Sequence, residues 1–445
     1  MKEILDDIVE SVFKKVLELK VDDASVIAVY GIENMARFSN NSITVIDTLD
    51  EVAVFLYMIK DGKKVVGTTY SVGKEELDKF VERLFLSMQF VEKSSDTVPL
   101  PKNGFKYLGK NDYDDRIEKL GEGVVDYCER AINAALSEGA KRVSGTISAN
   151  VEVCKIRTTG GIEEDDRVSY ISANIRAFSE TNSSGHGLSC STYLSKFYPE
   201  EAGKTAGMFS RESRKVGHWN EGEYDLIIGP TVAADIFQMV GISASAFRVD
   251  TGTSFFKDCL GKKVAVENLT VEDHGTVEGG FGGRKFDDEG VPTRKNTIIE
   301  NGVLNTYLHN TTTAKKYGTI STGNAGIIAP HPWNIVVKEG DMSVEEMIKE
   351  CKRAVYVTNN WYTRYQNYMK GEYSTIPRDA TFLIENGSIK YAINGTRISD
   401  SIPRQLSSIK AIGKERRWIK WWEVEIPVYT PTILVGKTKL TRAQF

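Results

Sequence analysis

The sequence is poor in the residues that build metal clusters and disulfide frameworks. Its 445 residues include five cysteines and five histidines. Cys128, Cys154, Cys190, Cys259 and Cys351 are scattered, odd in number and form no CxxC pair. That argues against a zinc ribbon or a disulfide scaffold and suits reduced thiols. Cys190 and Cys259 lack a close basic neighbour that would lower a thiol pKa, so structural thiols are expected. His186, His218, His274, His309 and His331 are never spaced to share a helix face, which leaves open only a metal site assembled from distant parts of the chain. Long hydrophobic runs are missing as well. The richest, Val52 to Ile59, has eight apolar residues, strand length rather than the roughly 18 of a membrane helix. Lys2, Glu3, Asp6 and Asp7 open the chain on a helical pattern without a basic end and apolar block, so no secretory signal and a cytoplasmic location are expected. The net charge of −4 provides no global basic field and argues against a dedicated nucleic-acid binder.

What remains has a globular composition, 41% hydrophobic and 27% charged, in a chain long enough for two or three domains. Residues 3–19 pair Ile4/Leu5, Ile8/Val9, Val12/Phe13 and Val16/Leu17 at helical spacing, a helix with one buried face. Residues 24–30 and 35–46 read as strands, and 52–59 joins 63–70 across Lys60-Asp61-Gly62, a hairpin signal. A second amphipathic helix starts at Lys74. Residues 94–104, with Pro99 and Pro101, read as a linker. A third helix, marked by Ile117, Leu120, Val124, Cys128, Ala131 and Leu136, ends at Gly139. Four β-rich runs follow near 142–149, 151–158, 167–178 and 187–196, repeating the helix-plus-meander plan of residues 1–90; the acid run Glu163 to Asp166 reads as a solvated loop. Beyond Tyr224 strands and tight turns dominate. Ile299-Glu-Asn-Gly302 and Ile384-Glu-Asn-Gly387 are near copies, each predicting a type I′ hairpin tip. Met342 to Ala354 predicts a short helix. The expected fold is α+β: an N-terminal domain over 1–215, helices with antiparallel sheet, then a β-rich C-terminal domain over 222–445 that carries a buried helix.

That helix organises the second half. Tyr224 to Ile228 is a β-rich run, Gly229-Pro230-Thr231 supplies a turn and an N-cap, and Val232, Ile236, Met239 and Val240 fall three or four apart to bury one face. A Gly-Thr-Ser-rich loop follows. With Asp250-Thr-Gly-Thr-Ser-Phe-Phe-Lys-Asp-Cys-Leu-Gly-Lys-Lys-Val264 and Tyr307-Leu-His-Asn-Thr-Thr-Thr-Ala-Lys-Lys-Tyr-Gly…Ser-Thr-Gly-Asn-Ala325, this stretch resembles the TldD/PmbA family. Its members were first described as modulators of DNA gyrase and later as subunits of a zinc protease.

The resemblance implies that catalytic members carry His-Glu-x-x-x-His on this helix. Matched on Val240-Gly241, Phe237 stands at the first His, Gln238 at the Glu and Ile242 at the second His; the family's late Cys ligand falls near Asn359 and Asn360. None can provide the ligand set zinc requires. The resemblance is therefore to the non-catalytic TldE/PmbA-type subunit. It implies no metal and no catalytic residue in this chain, zinc in a TldD-type partner, peptide as substrate, and a heteromer or homodimer. Regulation of DNA gyrase or another DNA enzyme is the alternative.

Other motifs admit two readings. His309, Asn310, Thr311 and Thr313, with Ser321, Thr322 and Asn324, are candidate contacts to a peptide or partner, or local hydrogen bonding in a polar loop. Gly279-Gly-Phe-Gly-Gly283 lacks the strand-to-helix context and Lys-Ser/Thr ending of a phosphate loop and reads as a flexible turn. Lys414-Glu-Arg-Arg-Trp-Ile-Lys-Trp-Trp422 mixes cations with indoles, as a single-strand nucleic-acid surface would, or as a tail packed on its own domain or another subunit would.

Overall fold

A computed structural model describes residues 1–109, 112–326 and 328–443. The N-terminal elements are α1 (Lys2–Glu18), β1 (Asp23–Ser39), β2 (Ser42–Lys60), β3 (Lys63–Thr69) and α2 (Lys74–Ser87). They are followed by α3 (Asp115–Glu118), α4 (Val124–Ser137), β4 (Arg142–Thr158), β5 (Glu163–Glu180), β6 (Ser183–Ser191) and α5 (Pro199–Glu212). The strands form one antiparallel sheet in the order β3-β2-β1-β4-β5-β6. Helices α1 and α2 cover the β1–β3 half and α4 and α5 the β4–β6 half, each over its own apolar cluster.

The C-terminal elements begin with β7 (Gly222–Ile228), α6 (Pro230–Ser243), α7 (Ala246–Asp250), β8 (Val271–His274), β9 (Lys295–Glu300), β10 (Val303–Leu304) and α8 (Thr311–Lys316). Next come β11 (Ile335–Val337), α9 (Val344–Glu350), β12 (Arg353–Val357), β13 (Trp361–Asn367), β14 (Glu372–Ile376), β15 (Thr381–Glu385) and β16 (Ser388–Ala392). The chain closes with β17 (Thr396–Ser401), α10 (Ile402–Ser407), β18 (Ile409–Trp421) and β19 (Val424–Arg442). Their thirteen strands share a mixed sheet in which β7 lies between β19 and β12, parallel to β12. The α+β class is as expected, and no helix among the described residues is long and apolar enough to cross a membrane.

The turn chemistry held. Asp61-Gly62, Asn301-Gly302 and Asn386-Gly387 all take positive φ, as type I′ tips demand. The strand boundaries did not. Residues 24–30 and 35–46 are not separate strands: β1 runs unbroken through Gly31, and the turn comes at Asn40-Asn41, both with positive φ. Likewise 142–149 and 151–158 are one strand. Glu163 to Asp166 is not a solvated loop but the start of β5; Glu163 pairs with Lys155, Glu164 with Lys285, and the buried Asp166 carboxylate accepts the Lys285 amide at 2.6 Å.

Helix α6 starts as its sequence dictates, with Gly229 in an extended N-cap conformation and Pro230 in the first turn. Its burial is more complete than a single-face helix allows. Nearly every residue from Val232 to Ser243 is buried, on polar and apolar sides alike, because the helix packs against β7, β11, β18 and β19. Each fully buried Val, Ile or Phe there contributes about 1.5–3 kcal/mol relative to exposure.

The 414–422 segment is part of a long hairpin, β18–β19. Trp421 and Trp422 sit at its tip, where Trp361 of β13 lies 5.9 Å from Trp421 and 5.2 Å from Trp422, and Trp421 lies against His186 of β6 at 4.8 Å with the rings tilted by 50°, while Trp418 packs on Tyr429 and Phe281. The hairpin thus packs on the N-terminal sheet of its own chain.

Candidate functional site

The residues aligned with a metal motif sit at the junction of α6 with the β18–β19 tip. Phe237 is buried in the main apolar cluster and Ile242 packs against it. Gln238 is 9% exposed and has its whole amide engaged. Its Nε2 donates to Asp235 Oδ1 at 3.1 Å and to the Glu423 carbonyl at 2.6 Å, and its Oε1 accepts the Glu425 amide at 3.1 Å. Rotating that amide by 180° would set donor against donor, so its orientation is fixed.

Asp235, one turn earlier, is the only charged residue of α6 and the centre of the network. Its Oδ2 receives Asn360 Nδ2 at 2.6 Å and the Thr363 hydroxyl. Asn360 Nδ2 also donates to Thr375 Oγ1 at 3.1 Å, and Thr363 and Thr375 hydroxyls lie 2.8 Å apart. Burial raises the Asp235 pKa, against the opposing pull of Thr363, Asn360 and Gln238.

Asn359, the other candidate for the lost Cys position, is tied elsewhere. Its Nδ2 donates to Asp379 Oδ2 at 2.5 Å and its Oδ1 accepts the Asp379 amide at 3.0 Å. Asp379 in turn takes Arg176 Nη2 at 2.6 Å and the Ser184 hydroxyl, which joins the two sheets. Burial pushes the Asp379 pKa up, yet Arg176, His186 and Ser184 together outweigh it and the net shift is downward.

This donor set does not fit zinc. Phe237 and Ile242 carry no ligand atom, the amides of Gln238 and Asn359 are committed to protein partners, and Asn360 spends its Nδ2 on Asp235, Thr363 and Thr375, which leaves its buried Oδ1 as a single unpartnered oxygen, too few for a site that needs three or four ligands. Among the described residues no group of three or more His, Cys, Asp or Glu side chains is arranged to hold a metal. Sequence reading missed Asp235, Thr363, Thr375 and Asp379. The lone charged residue of a mostly apolar helix was the available signal for the first; the others come from β13, β14 and the bend before β15, far along the chain.

The 309–324 candidates form one knot except Thr311, whose amide donates to Glu289 at 2.8 Å and whose hydroxyl donates to the same carboxylate. Asn310 caps α8, its Oδ1 accepting the Thr313 amide at 2.9 Å while its own amide donates to Thr313 Oγ1 at 3.1 Å. His309 Nδ1 lies 3.2 Å from the same hydroxyl, and burial lowers the His309 pKa to about 4. Thr322 Oγ1 accepts the His309 amide at 2.7 Å and Ser321 donates to the His309 carbonyl at 3.2 Å. Asn324 is wholly buried, donating to Asp273 at 2.7 Å and to the His331 carbonyl at 2.9 Å; burial lifts Asp273 to about 7. Thr311 and Ser321 line a groove of about 810 Å³. Phe105, Leu108, Pro292 and Ile320 give that groove an apolar wall, with Leu108 92% exposed.

The glycine loop is packed rather than flexible. Phe281 stacks on Tyr170 of β5 at 4.7 Å, the Gly279 amide donates to Asp112 at 2.8 Å, and a Cβ on Gly283 would meet the Gly275 carbonyl oxygen at 1.9 Å.

Known proteins share both the sequence and the shape of this region. Residues 221–442 match the PmbA/TldA metallopeptidase C-terminal domain. A metalloprotease of Methanocaldococcus jannaschii is 35% identical over 201 residues, 44% of each chain. The metalloprotease PmbA of Escherichia coli O157:H7 is 33% identical over 193 residues, 43% of this chain and 41% of that one. Matches to these relatives thus span under half of their length. Solved structures match throughout: TldE from Thermococcus kodakarensis superimposes with a TM-score of 0.85 at 21% identity, over 98% of this chain and 100% of that one. Through its C-terminal half the chain belongs to the PmbA/TldD metallopeptidase family.

Proposed function

We propose that this chain is a TldE/PmbA-like subunit of a cytoplasmic zinc metallopeptidase complex and does not itself break peptide bonds. The observation that carries the reading is the Asp235–Gln238–Asn360–Thr363 network. Where the metalloprotease relatives are named for a metal-dependent activity, this chain spends its polar side chains on one another. A TldD-type partner would supply the zinc and the general base. This chain would line the cleft, with the apolar groove beside Thr311 and Ser321 receiving a linear or unfolded peptide.

The test is peptide turnover by the purified chain alone and after mixing with a TldD-type partner, with zinc content measured in parallel. Expected are substoichiometric zinc, no turnover alone and chelator-sensitive turnover in the mixture. Chelator-sensitive cleavage by this chain alone, or no effect of Thr311→Lys and Ser321→Lys on turnover by the mixture, overturns the reading.

A further inference from the structure

The outer side of β2 is open over an unusual length. β1 and β2 pair from Asp23↔Ile59 to Ser39↔Ser42, whereas β3 pairs with β2 only from Val54↔Thr69 to Lys60↔Lys63. Residues 42–53 therefore form a strand edge with no neighbour among the described residues. From Thr44 to Glu51 every residue is exposed, on both faces of the strand, although a strand in a packed sheet normally buries one face. Val45, Ile46 and Leu49 leave 42%, 48% and 59% of their surfaces open.

Folded proteins blunt such an edge with Pro, Lys, bulges or a covering element. Here β2 has no Pro and no Lys before Lys60, and the register shift of the β1–β2 pair lies near the tip, at Arg37/Phe38. What the edge carries is negative charge: Asp47, Asp50 and Glu51, without a Lys or Arg between residues 42 and 59.

We propose that this edge is a docking site for a basic, extended segment of a different polypeptide, which adds to the sheet as a further strand. Backbone hydrogen bonds supply the register, and alternate Lys or Arg side chains meet Asp47 and Glu51, which lie on one face of β2. A second copy of this chain fits poorly, since it would bring six carboxylates into one seam. The inference stands independently of the peptidase reading, because the edge belongs to the N-terminal sheet and the Gln238 network to the C-terminal one.

The probe is a labelled synthetic decapeptide alternating Lys with Val or Thr, titrated into the full chain and followed by fluorescence anisotropy and amide exchange. Expected are salt-sensitive binding and slowed exchange confined to 44–53. The exposed Asp47→Lys/Glu51→Lys variant, with circular dichroism unchanged, binds about tenfold more weakly, equivalent to ~1.4 kcal/mol. Two peptides N-methylated at alternate residues, in opposite phases, distinguish backbone pairing from charge attraction: one phase retains binding and the other loses it. Equal binding of both phases, equal binding of a Glu-for-Lys peptide, no binding, or protection outside 44–53 overturns the proposal. So does a wild-type dimer that the double variant dissociates, which would make a second copy the occupant.

Discussion

Restoring the family's glutamate by Gln238→Glu should damage the fold at neutral pH rather than rebuild a catalytic site. The new carboxylate would face Asp235 Oδ1 across 3.1 Å and the Glu423 carbonyl across 2.6 Å, where Gln238 now donates. Two charges at that separation repel by about 5 kcal/mol at an effective dielectric of 20. Holding a glutamic acid protonated at pH 7 costs about 4 kcal/mol for an ordinary pKa near 4.3. The cheaper route sets the penalty, and one proton cannot serve both acceptors, which adds about 1 kcal/mol. Because the native variant keeps a proton that the unfolded chain releases above about pH 4.3, its stability falls as pH rises from roughly 4 to 7, by about 1.4 kcal/mol per unit. Urea unfolding at pH 5 and pH 7.5, followed by tryptophan fluorescence and referred to wild type at each pH, measures this directly. Gln238→Leu is the control: it strands the Glu423 carbonyl and the Glu425 amide for about 1–3 kcal/mol without a pH slope. A Gln238→Glu protein as stable as wild type at pH 7.5, or one whose deficit is the same at both pH values, refutes the reasoning.

Asp379→Ala leaves Arg176 without its buried partner and should cost about 3–5 kcal/mol in urea unfolding at pH 7. Since the Asp379 pKa is depressed, the stabilisation it gives is present above the unfolded value and is lost as pH falls through the folded one, so the variant's deficit should shrink in acid. His186 and His309 are both held near a pKa of about 4 by burial. The unfolded chain takes up those protons below roughly pH 6.5, so stability drops between about pH 6.5 and 4, and His186→Gln or His309→Gln should each flatten that slope by about 1.4 kcal/mol per unit in pH-dependent unfolding. Gly283→Ala forces a methyl group against the Gly275 carbonyl and should lower the melting temperature by several degrees or prevent soluble expression, while Gly31→Ala, with nothing within 4 Å, should leave it nearly unchanged.

Much of this architecture was legible because local chemistry and tertiary demand agree. The α1 stripe, the Asp-Gly and Asn-Gly tips and the Pro230 start of α6 each follow from the conformations that a few residues favour or forbid. The errors arose where that local signal misled. Asn40-Asn41 makes the β1–β2 turn without a glycine, while Gly31 lies in mid-strand, so the break was placed at the wrong residue. Alternation also fades in the outer half of β2, where both faces meet solvent.

The candidate site was legible by subtraction. That Phe237, Gln238 and Ile242 cannot hold a divalent ion follows from their side-chain chemistry alone. What occupies the place instead required the fold, because Asp235, Asn360, Thr363 and Thr375 come together from a helix, the residue preceding β13 and two strands, up to 140 positions apart. Periodicity records which face of an element is buried. It holds no record of which distant element closes over that face, and hydrogen-bond partners in a protein core are chosen by that closure. Turns, caps and the missing ligands were thus settled along the chain, whereas the polar network, the groove beside Thr311 and the open edge of β2 were settled only when elements distant in sequence came together in each sheet.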